Sequence, residues 1–300
     1  MTIALIPNSI RRVSPSSMNT YYKCPRLYYF KYIKFLKEPA SIHMVKGSVV
    51  HNVLELFYNK YEANLKKRLL ELLKLCWKLP PELILSKKEE KDAYKDCENI
   101  LLIHLSVIEV KYKTLIGGHK AENVRHAFYL TRPKFKELKL ENKEFNLVGI
   151  IDTVSTDFDG NITLGDYKTG GSYGFNFSDD LKRQLSFYAL MYYLENSKYP
   201  QMVAVDHLRY GIRDRLVVTP SLISSIMADI NFVITHTQSD DKDDYPLKEN
   251  NLCAKYCSFF DICSGNKSLA CDKQSDLIKM FDLKEKGDKD ESEINTRKRL

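Results

Sequence analysis

Hydrophobic positions change their period along the chain. Over residues 46–61 (KGSVVHNVLELFYNKY), Val50, Val53, Leu54 and Phe57 recur at helical spacing and mark one buried face. His51 stands one position off that stripe, where an isolated histidine is ordinarily a satisfied core residue. Residues 66–79 and 88–115 predict two further helices, parted by Pro80-Pro81. Cys76 and Cys97 fall within them and read as packing residues. From about Val124 the period shifts towards two, through VRHAFYLT, FKELKLE and EFNLVGIIDTV, and predicts successive strands. Helical spacing returns over residues 179–196, where Gln184 and Tyr188, four apart, face one way. Residues 206–210 and 215–218 predict short strands, and 221–237 a last helix. The order predicts an α/β fold: a central mixed β-sheet flanked by helices, in one domain of residues 1–283. A helical insertion occupies 46–115, and the core proper 124–237.

The hairpin at residues 149–170, GIIDTVSTDFDGNITLGDYKTG, concentrates the chemistry. Ile150, Ile151 and Val154 on one arm, and Ile162 and Leu164 on the other, are strand-like, and Asp157, Asp159, Gly160 and Asn161 supply the turn. Residues two apart share a face, so Asp166 and Lys168 project together. A two-residue turn at Asp159-Gly160 would pair Asp152 with Tyr167. A three-residue turn, Phe158-Asp159-Gly160 with Gly160 left-handed, pairs Asp152 with Asp166 and puts Asp152, Asp166 and Lys168 on one face. We expect the odd-length turn. Two carboxylates so close repel, and a divalent cation is the usual remedy. A lysine beside it can position or help deprotonate a water, or stabilise developing negative charge. The plain alternative is a salt-bridged, solvent-facing strand. Glu141 and Glu144 could add a further carboxylate.

Composition narrows the class. Three hundred residues with 44% hydrophobic content can bury a sizeable core, and the net charge of +7 does not by itself mark a nucleic-acid binder. No apolar run approaches the ~20 residues of a membrane span. The N-terminus lacks the charged-then-apolar order of a signal peptide, so an intracellular, cytoplasmic protein is expected. Its seven cysteines are then poor disulfide candidates.

Where the charge sits says more than its sum. Residues 11–37 interleave Arg12, Lys23, Arg26 and further basic residues with Tyr22 and other aromatics, as a single-stranded nucleic-acid track does, although most of these rings suit a core helix face. Ser14 or Ser16 can cap that helix, with Pro15 in its first turn. Near the other end, Cys253-x3-Cys257-x5-Cys263 suggests a soft metal centre, with Cys24 or Cys271 as the fourth donor. Zinc and an iron–sulfur cluster both accept four cysteines. Residues 284–300 are almost all polar or charged and predict a disordered tail.

Taken in order, these segments resemble the RecB-like branch of the PD-(D/E)XK nucleases. SPSSMNTYYKCPRLYYF resembles its N-terminal motif, KGSVVHNVLELF its histidine motif, and GIIDTV its first aspartate motif. GDYKTG resembles its Asp-x-Lys motif and QLSFYALMYYL its Gln-x3-Tyr motif. The terminal cysteines are similar to the iron–sulfur version in AddB-type nucleases and the small CRISPR-associated RecB-like exonucleases.

The resemblance implies a restriction-endonuclease-like fold with a C-terminal iron–sulfur module of residues 250–271 plus Cys24. It also implies a metal-dependent DNA exonuclease acting on single-stranded or frayed ends. His51, Asp152, Asp166 and the Tyr167 carbonyl would hold Mg²⁺ or Mn²⁺, Lys168 would be the catalytic lysine, and Gln184 and Tyr188 would support the site. Cys24, Cys253, Cys257 and Cys263 would bind a 4Fe-4S cluster, while Arg12, Tyr22, Lys23 and Arg26 would meet DNA. The partners implied are DNA and either a CRISPR integrase or recombination and repair proteins, with no membrane. One departure stands out: the family commonly has two residues in the first cysteine gap and this chain has three, which keeps Cys271 in reserve. The rival readings are a catalytically silent DNA-binding module in a larger complex and a zinc-stapled binding protein.

Overall fold

Short polar side chains begin most of the helices. Ser14 and Ser17 exchange backbone-to-hydroxyl bonds at the start of α1 (Pro15–Lys23). Pro25 then opens α2 (Pro25–Tyr28), which runs into a π-helical turn at Tyr29–Ile33. Ser41 caps α3 (Ile42–Phe57), and Asn64 caps α4 (Leu65–Cys76). Ser86 and Glu89 form a capping box on α5 (Lys87–Gly117). Asn123 caps α6 (Val124–Thr131), Ser178 caps α7 (Asp179–Asn196), and Thr219 caps α8 (Pro220–His236). Two single turns, α9 (Cys253–Tyr256) and α10 (Phe260–Cys263), follow.

The computed structural model describes residues 4–170, 177–249 and 253–263. The tail at 284–300 and Cys271, the reserve ligand, lie outside the described residues. The chain forms two compact units, Met1–Tyr22 with Pro39–Asp244, and Lys23–Glu38 with Tyr245–Leu300.

The first unit is built on five strands: β1 (Phe135–Asn142), β2 (Leu147–Thr156), β3 (Ile162–Lys168), β4 (Met202–His207) and β5 (Ile212–Val217). They lie in that order, and only β3 and β4 run parallel. A parallel neighbour requires a crossover, and α7 supplies it, packing on β1 through β4. The opposite side is a core of α3, α4, α5 and α6 that includes Leu54, Leu73, Leu101 and Phe128 and reaches Tyr167 of β3. The result is a mixed sheet flanked by helices.

Two expectations are corrected. VRHAFYLT is α6 and not a strand: Asn123 accepts the His126 amide, and Ala127 and Phe128 bury at helical spacing. The apparent alternation had no cap in view. The strands expected at 206–210 and 215–218 lie at Met202–His207 and Ile212–Val217: Val203, Ala204 and Val205 form a continuous buried run without alternation, and residues 208–211 turn. The hairpin turn is odd-length, as expected. The Asp157 amide donates to the Asn161 carbonyl at 3.1 Å across Phe158-Asp159-Gly160, with Gly160 at φ +82°.

In the second unit, the aromatic run after Cys24 is core rather than surface. Tyr28 stacks on the fully buried Tyr245 at 6.1 Å between ring centres, and Phe30 meets Phe259 at 5.7 Å. Arg26 Nε donates to the Tyr245 carbonyl at 2.7 Å.

The ring of Phe128 is wholly buried against Phe57, Tyr58 and Tyr61. Phe128→Ala is therefore expected to cost about 3–5 kcal/mol, read as a lower urea midpoint at unchanged slope. A change under about 1 kcal/mol would contradict the packing of α6 described here.

Candidate active site

The site grows from the place where β2 and β3 part. Their ladder runs from Thr156↔Ile162 to Thr153↔Gly165. One step further, Asp152 stands opposite Asp166, and the Tyr167 amide donates not to a strand but to Asp152 Oδ2, at 2.6 Å. The Tyr167 carbonyl is met by His51 Nε2 at 3.1 Å. His51 comes from α3, so a helix and a hairpin arm are joined at a single residue's backbone. The other ring nitrogen, Nδ1, lies 3.5 Å from Asp152 Oδ1 and 3.6 Å from Glu137 Oε1.

Glu137 was not among the carboxylates expected from the sequence. It sits on β1 between Lys136↔Thr153 and Leu138↔Ile151, opposite Asp152, in a left-handed conformation with φ +46°. A glutamate in a strand rarely adopts this, and such strain concentrates at functional sites. The signal lies in the register of the β1–β2 hairpin, which sets Glu137 opposite Asp152 once its turn is known. Glu141 and Glu144 do not join the site. Glu141 pairs with Arg12 at 2.7 Å, and the Glu144 carbonyl accepts the Asn8 amide.

A second chain of contacts runs out from Asp166. Lys168 Nζ lies 2.7 Å from Asp166 Oδ2 and donates to Gln184 Oε1 at 2.9 Å. The Gln184 amide in turn donates to Asp166 Oδ1 and to the Tyr188 hydroxyl, each at 2.9 Å. Gln184 and Tyr188 are one turn apart on α7, as their spacing predicts. Lys168 meets Oδ2 as a charge off the hydrogen-bond direction, so that buried oxygen has no hydrogen-bond partner among the described residues. Asp166 is 3% exposed, whereas the Lys168 side chain is 38% exposed. The lysine thus stands between the buried acid and solvent.

The charges are strongly coupled. Burial raises the Asp166 carboxyl to about 6; Asp152 adds to the rise, while Lys168 and His51 oppose it. Burial works against a charged His51, but the Asp152 and Glu137 carboxylates beside Nδ1 and the field of Asp166 outweigh it and raise the imidazole to about 10. An imidazolium therefore supplies the positive charge this cluster demands. His51 Nδ1, Glu137 and Asp152 lie close enough to hold one metal ion, their donor atoms all within 4.8 Å of one another. One imidazole and two carboxylates form a donor set that fits a divalent cation, which would compete with the His51 proton. Of the four expected ligands, His51 and Asp152 belong to this group. The Asp166 carboxylate turns to Lys168 and Gln184, and the Tyr167 carbonyl is taken by His51.

The remaining expected residues sit elsewhere. Arg12 is exposed and paired with Glu141. The Tyr22 hydroxyl donates to Asp229 at 2.8 Å, and its ring is covered by Phe232 and the Arg183 guanidinium. Lys23 is exposed, while Arg26 is held by the Tyr245 carbonyl within the second unit. Also within that unit, Cys24, Cys253, Cys257 and Cys263 line one cavity of about 410 Å³. The three-residue gap fits α9: the Cys257 amide donates to the Cys253 carbonyl at 3.0 Å, so one helical turn brings both thiols to one side. Burial raises the Cys257 thiol, the Phe259 amide opposes the rise, and the Cys253 and Cys24 thiols add to it. Four thiols around one cavity could hold zinc or an iron–sulfur cluster. Cys97 is a packing residue, fully buried with its thiol raised to about 11 by burial.

A mixed sheet presenting an Asp-x-Lys pair beside a His/Glu/Asp metal group defines a metal-binding hydrolase of the nuclease type. The chain belongs to the PD-(D/E)XK nuclease superfamily, whose family model matches residues 12–264. A solved structure from Eubacterium rectale, named a "Putative exonuclease", is similar over 85% of this chain and 94% of its own, at 14% identity with a TM-score of 0.47. No curated protein sequence matches the chain.

Because the Asp166 carboxyl is raised above its unfolded value, ionising it opposes folding; that cost is absent below pH about 4 and complete above about 6. In EDTA at pH 8, Asp166→Asn should stabilise the protein by on the order of 1–3 kcal/mol, with no gain at pH 4, followed by urea unfolding. A loss of stability at both pH values would make Asp166 a structural residue.

Proposed function

We propose that this chain is a divalent-metal-dependent deoxyribonuclease that degrades single-stranded or frayed DNA ends exonucleolytically. Its setting is CRISPR adaptation beside an integrase, or DNA recombination and repair. The observation that carries the reading is the Lys168–Asp166–Gln184 triangle. It holds a solvent-facing ammonium in one place beside the His51–Glu137–Asp152 metal group.

Hydrolysis bonds a water oxygen to phosphorus as the bridging P–O bond breaks; one proton leaves the water and one reaches the departing oxygen. Asp152, Glu137 and His51 would hold an ion, and Mg²⁺ or Mn²⁺ there would supply positive charge against the phosphate. Lys168, already donating to Gln184, has ammonium protons left to orient the water and meet charge developing on phosphorus-bound oxygen. Gln184 fixes Lys168 and Asp166 together, and Tyr188 fixes Gln184; both are positioning residues. Arg12, paired with Glu141, and Lys23, exposed in the second unit, are the basic residues proposed to meet the phosphate backbone. Cys24, Cys253, Cys257 and Cys263 would hold a 4Fe-4S cluster, which would join the second unit's two sequence segments.

On 5′- and 3′-labelled single-stranded DNA, degradation should require Mn²⁺ or Mg²⁺ and stop with EDTA. Lys168→Ala should lower it by at least about 10²-fold. A folded wild-type protein that leaves both labels intact with either metal would favour the silent binding module.

Protein purified without oxygen should be brown and carry iron and acid-labile sulfide. Cys257→Ser should lose both while Cys97→Ser keeps them. Zinc in place of iron would refute the cluster.

A further inference from the structure

The sheet face turned away from Asp166 and Lys168 is polar where α5 covers it. Register sets Thr153 opposite Gly165, Gly165 beside Ala204, and Ala204 opposite Arg215; the next row is Tyr167, Asp206 and Arg213. A sheet face packed under a helix is ordinarily apolar. Here Thr153, Asp206, Arg213 and Arg215 line a cavity of about 240 Å³ together with His104 and Lys111 of α5.

Gly165 opens its floor. A Cβ at Gly165 would lie 2.3 Å from Thr153 Oγ1 and 3.3 Å from Arg213 Nη2, so the missing side chain lets the hydroxyl and guanidinium approach the backbone.

The charges do not balance. Three cations share the cavity with one lining carboxylate, Asp206: Arg213 from within, and Lys111 and Arg215 from its solvent-exposed rim. Arg213 Nε stands 3.5 Å from Asp206 Oδ1, too far for a good hydrogen bond, and is buried without a hydrogen-bond partner among the described residues. Burial holds the Asp206 carboxyl above its usual range against the pull of Arg213, Lys111 and Arg215. The Lys111 ammonium is lowered by desolvation first and then by Arg213, so the cations crowd one another. His104 adds no charge near neutral pH, since burial lowers it to about 4.

We propose that this cavity binds a phosphate monoester, gripped by Arg213, Arg215 and Lys111 with the Thr153 hydroxyl as a further donor. Guanidinium forks match phosphate oxygens in pairs, and a dianion offsets the surplus charge of the cluster. The cavity lies below the roughly 300–1,000 Å³ of ordinary ligand pockets, so it takes a terminal phosphate group rather than a continuous strand. This site does not depend on the nuclease reading. No residue of the metal group lines it; Tyr167 touches both, with its ring in this cavity and its carbonyl against His51.

The test is calorimetric titration of the full chain in EDTA with inorganic phosphate, deoxyadenosine 5′-monophosphate and deoxyadenosine. Both phosphates should bind saturably and the nucleoside should not. Tighter binding of the nucleotide identifies a nucleotide site, and equal binding a free-phosphate site. Arg213→Gln/Arg215→Gln should weaken binding by about tenfold or more, and Lys111→Gln, on the outer side of α5, by a smaller factor. Thermal melting of each variant separates lost binding from lost fold, and Lys111→Gln carries the test alone if the double variant does not fold. Lys168→Ala should change nothing. Absence of saturable binding, unchanged affinity in a folded Arg213/Arg215 variant, or loss on Lys168→Ala instead would each overturn the proposal.

Discussion

One hydrogen bond fixes the geometry around it: the Tyr167 amide donating to the Asp152 carboxylate at 2.6 Å. Where β2 and β3 separate, an amide loses its ladder partner, and leaving it buried and unmet would cost about 1–3 kcal/mol. Asp152 meets that need with a charged acceptor. Because one carboxylate oxygen is so committed, the other is aimed at His51 and Glu137. Because the amide is held, the Tyr167 carbonyl points to His51 Nε2. The fork in the sheet and the metal group are thus one arrangement, and neither could shift without the other.

The same economy operates on the α7 side. A crossover helix is obligatory between parallel β3 and β4, and that helix brings Gln184 and Tyr188 over the Asp166–Lys168 pair. Gln184 bonds to acid and base together, so the distance between them is set by an amide of fixed length instead of by two flexible side chains. Stability is given up for this. Asp166 is ionised at a burial depth that opposes it, and Glu137 occupies a strained backbone conformation. Both costs fall on groups beside the metal position.

What could be read in the sequence was local. Turn chemistry at Asp157–Asn161 fixed the parity of the hairpin and so the placing of Asp152 against Asp166. A four-residue spacing on a clean helix placed Gln184 above Tyr188. What could not be read required a partner. Glu137 looks like any solvent-facing strand glutamate until β2 is laid beside it and its φ turns positive. Arg213, Arg215 and Asp206 sit on short strands whose buried side is set by β3 and α5, far off in sequence. For α6, the Asn123 cap decided the outcome against an alternation that looked strand-like.

The second unit is assembled from segments at opposite ends of the described chain, with Arg26 and the Tyr245 carbonyl it binds 219 residues apart. Contacts between segments so far apart in sequence do not exist early in synthesis. When Tyr28, Tyr29 and Phe30 leave the ribosome, the residues that will cover them have yet to be translated. At about 5–20 residues per second, the wait is on the order of ten seconds or more. Through that interval the aromatic segment carries Lys23, Arg26, Lys31 and Lys34, and charge interleaved with an apolar run opposes its self-association. The basic residues among those aromatics thus have work to do before the protein is finished.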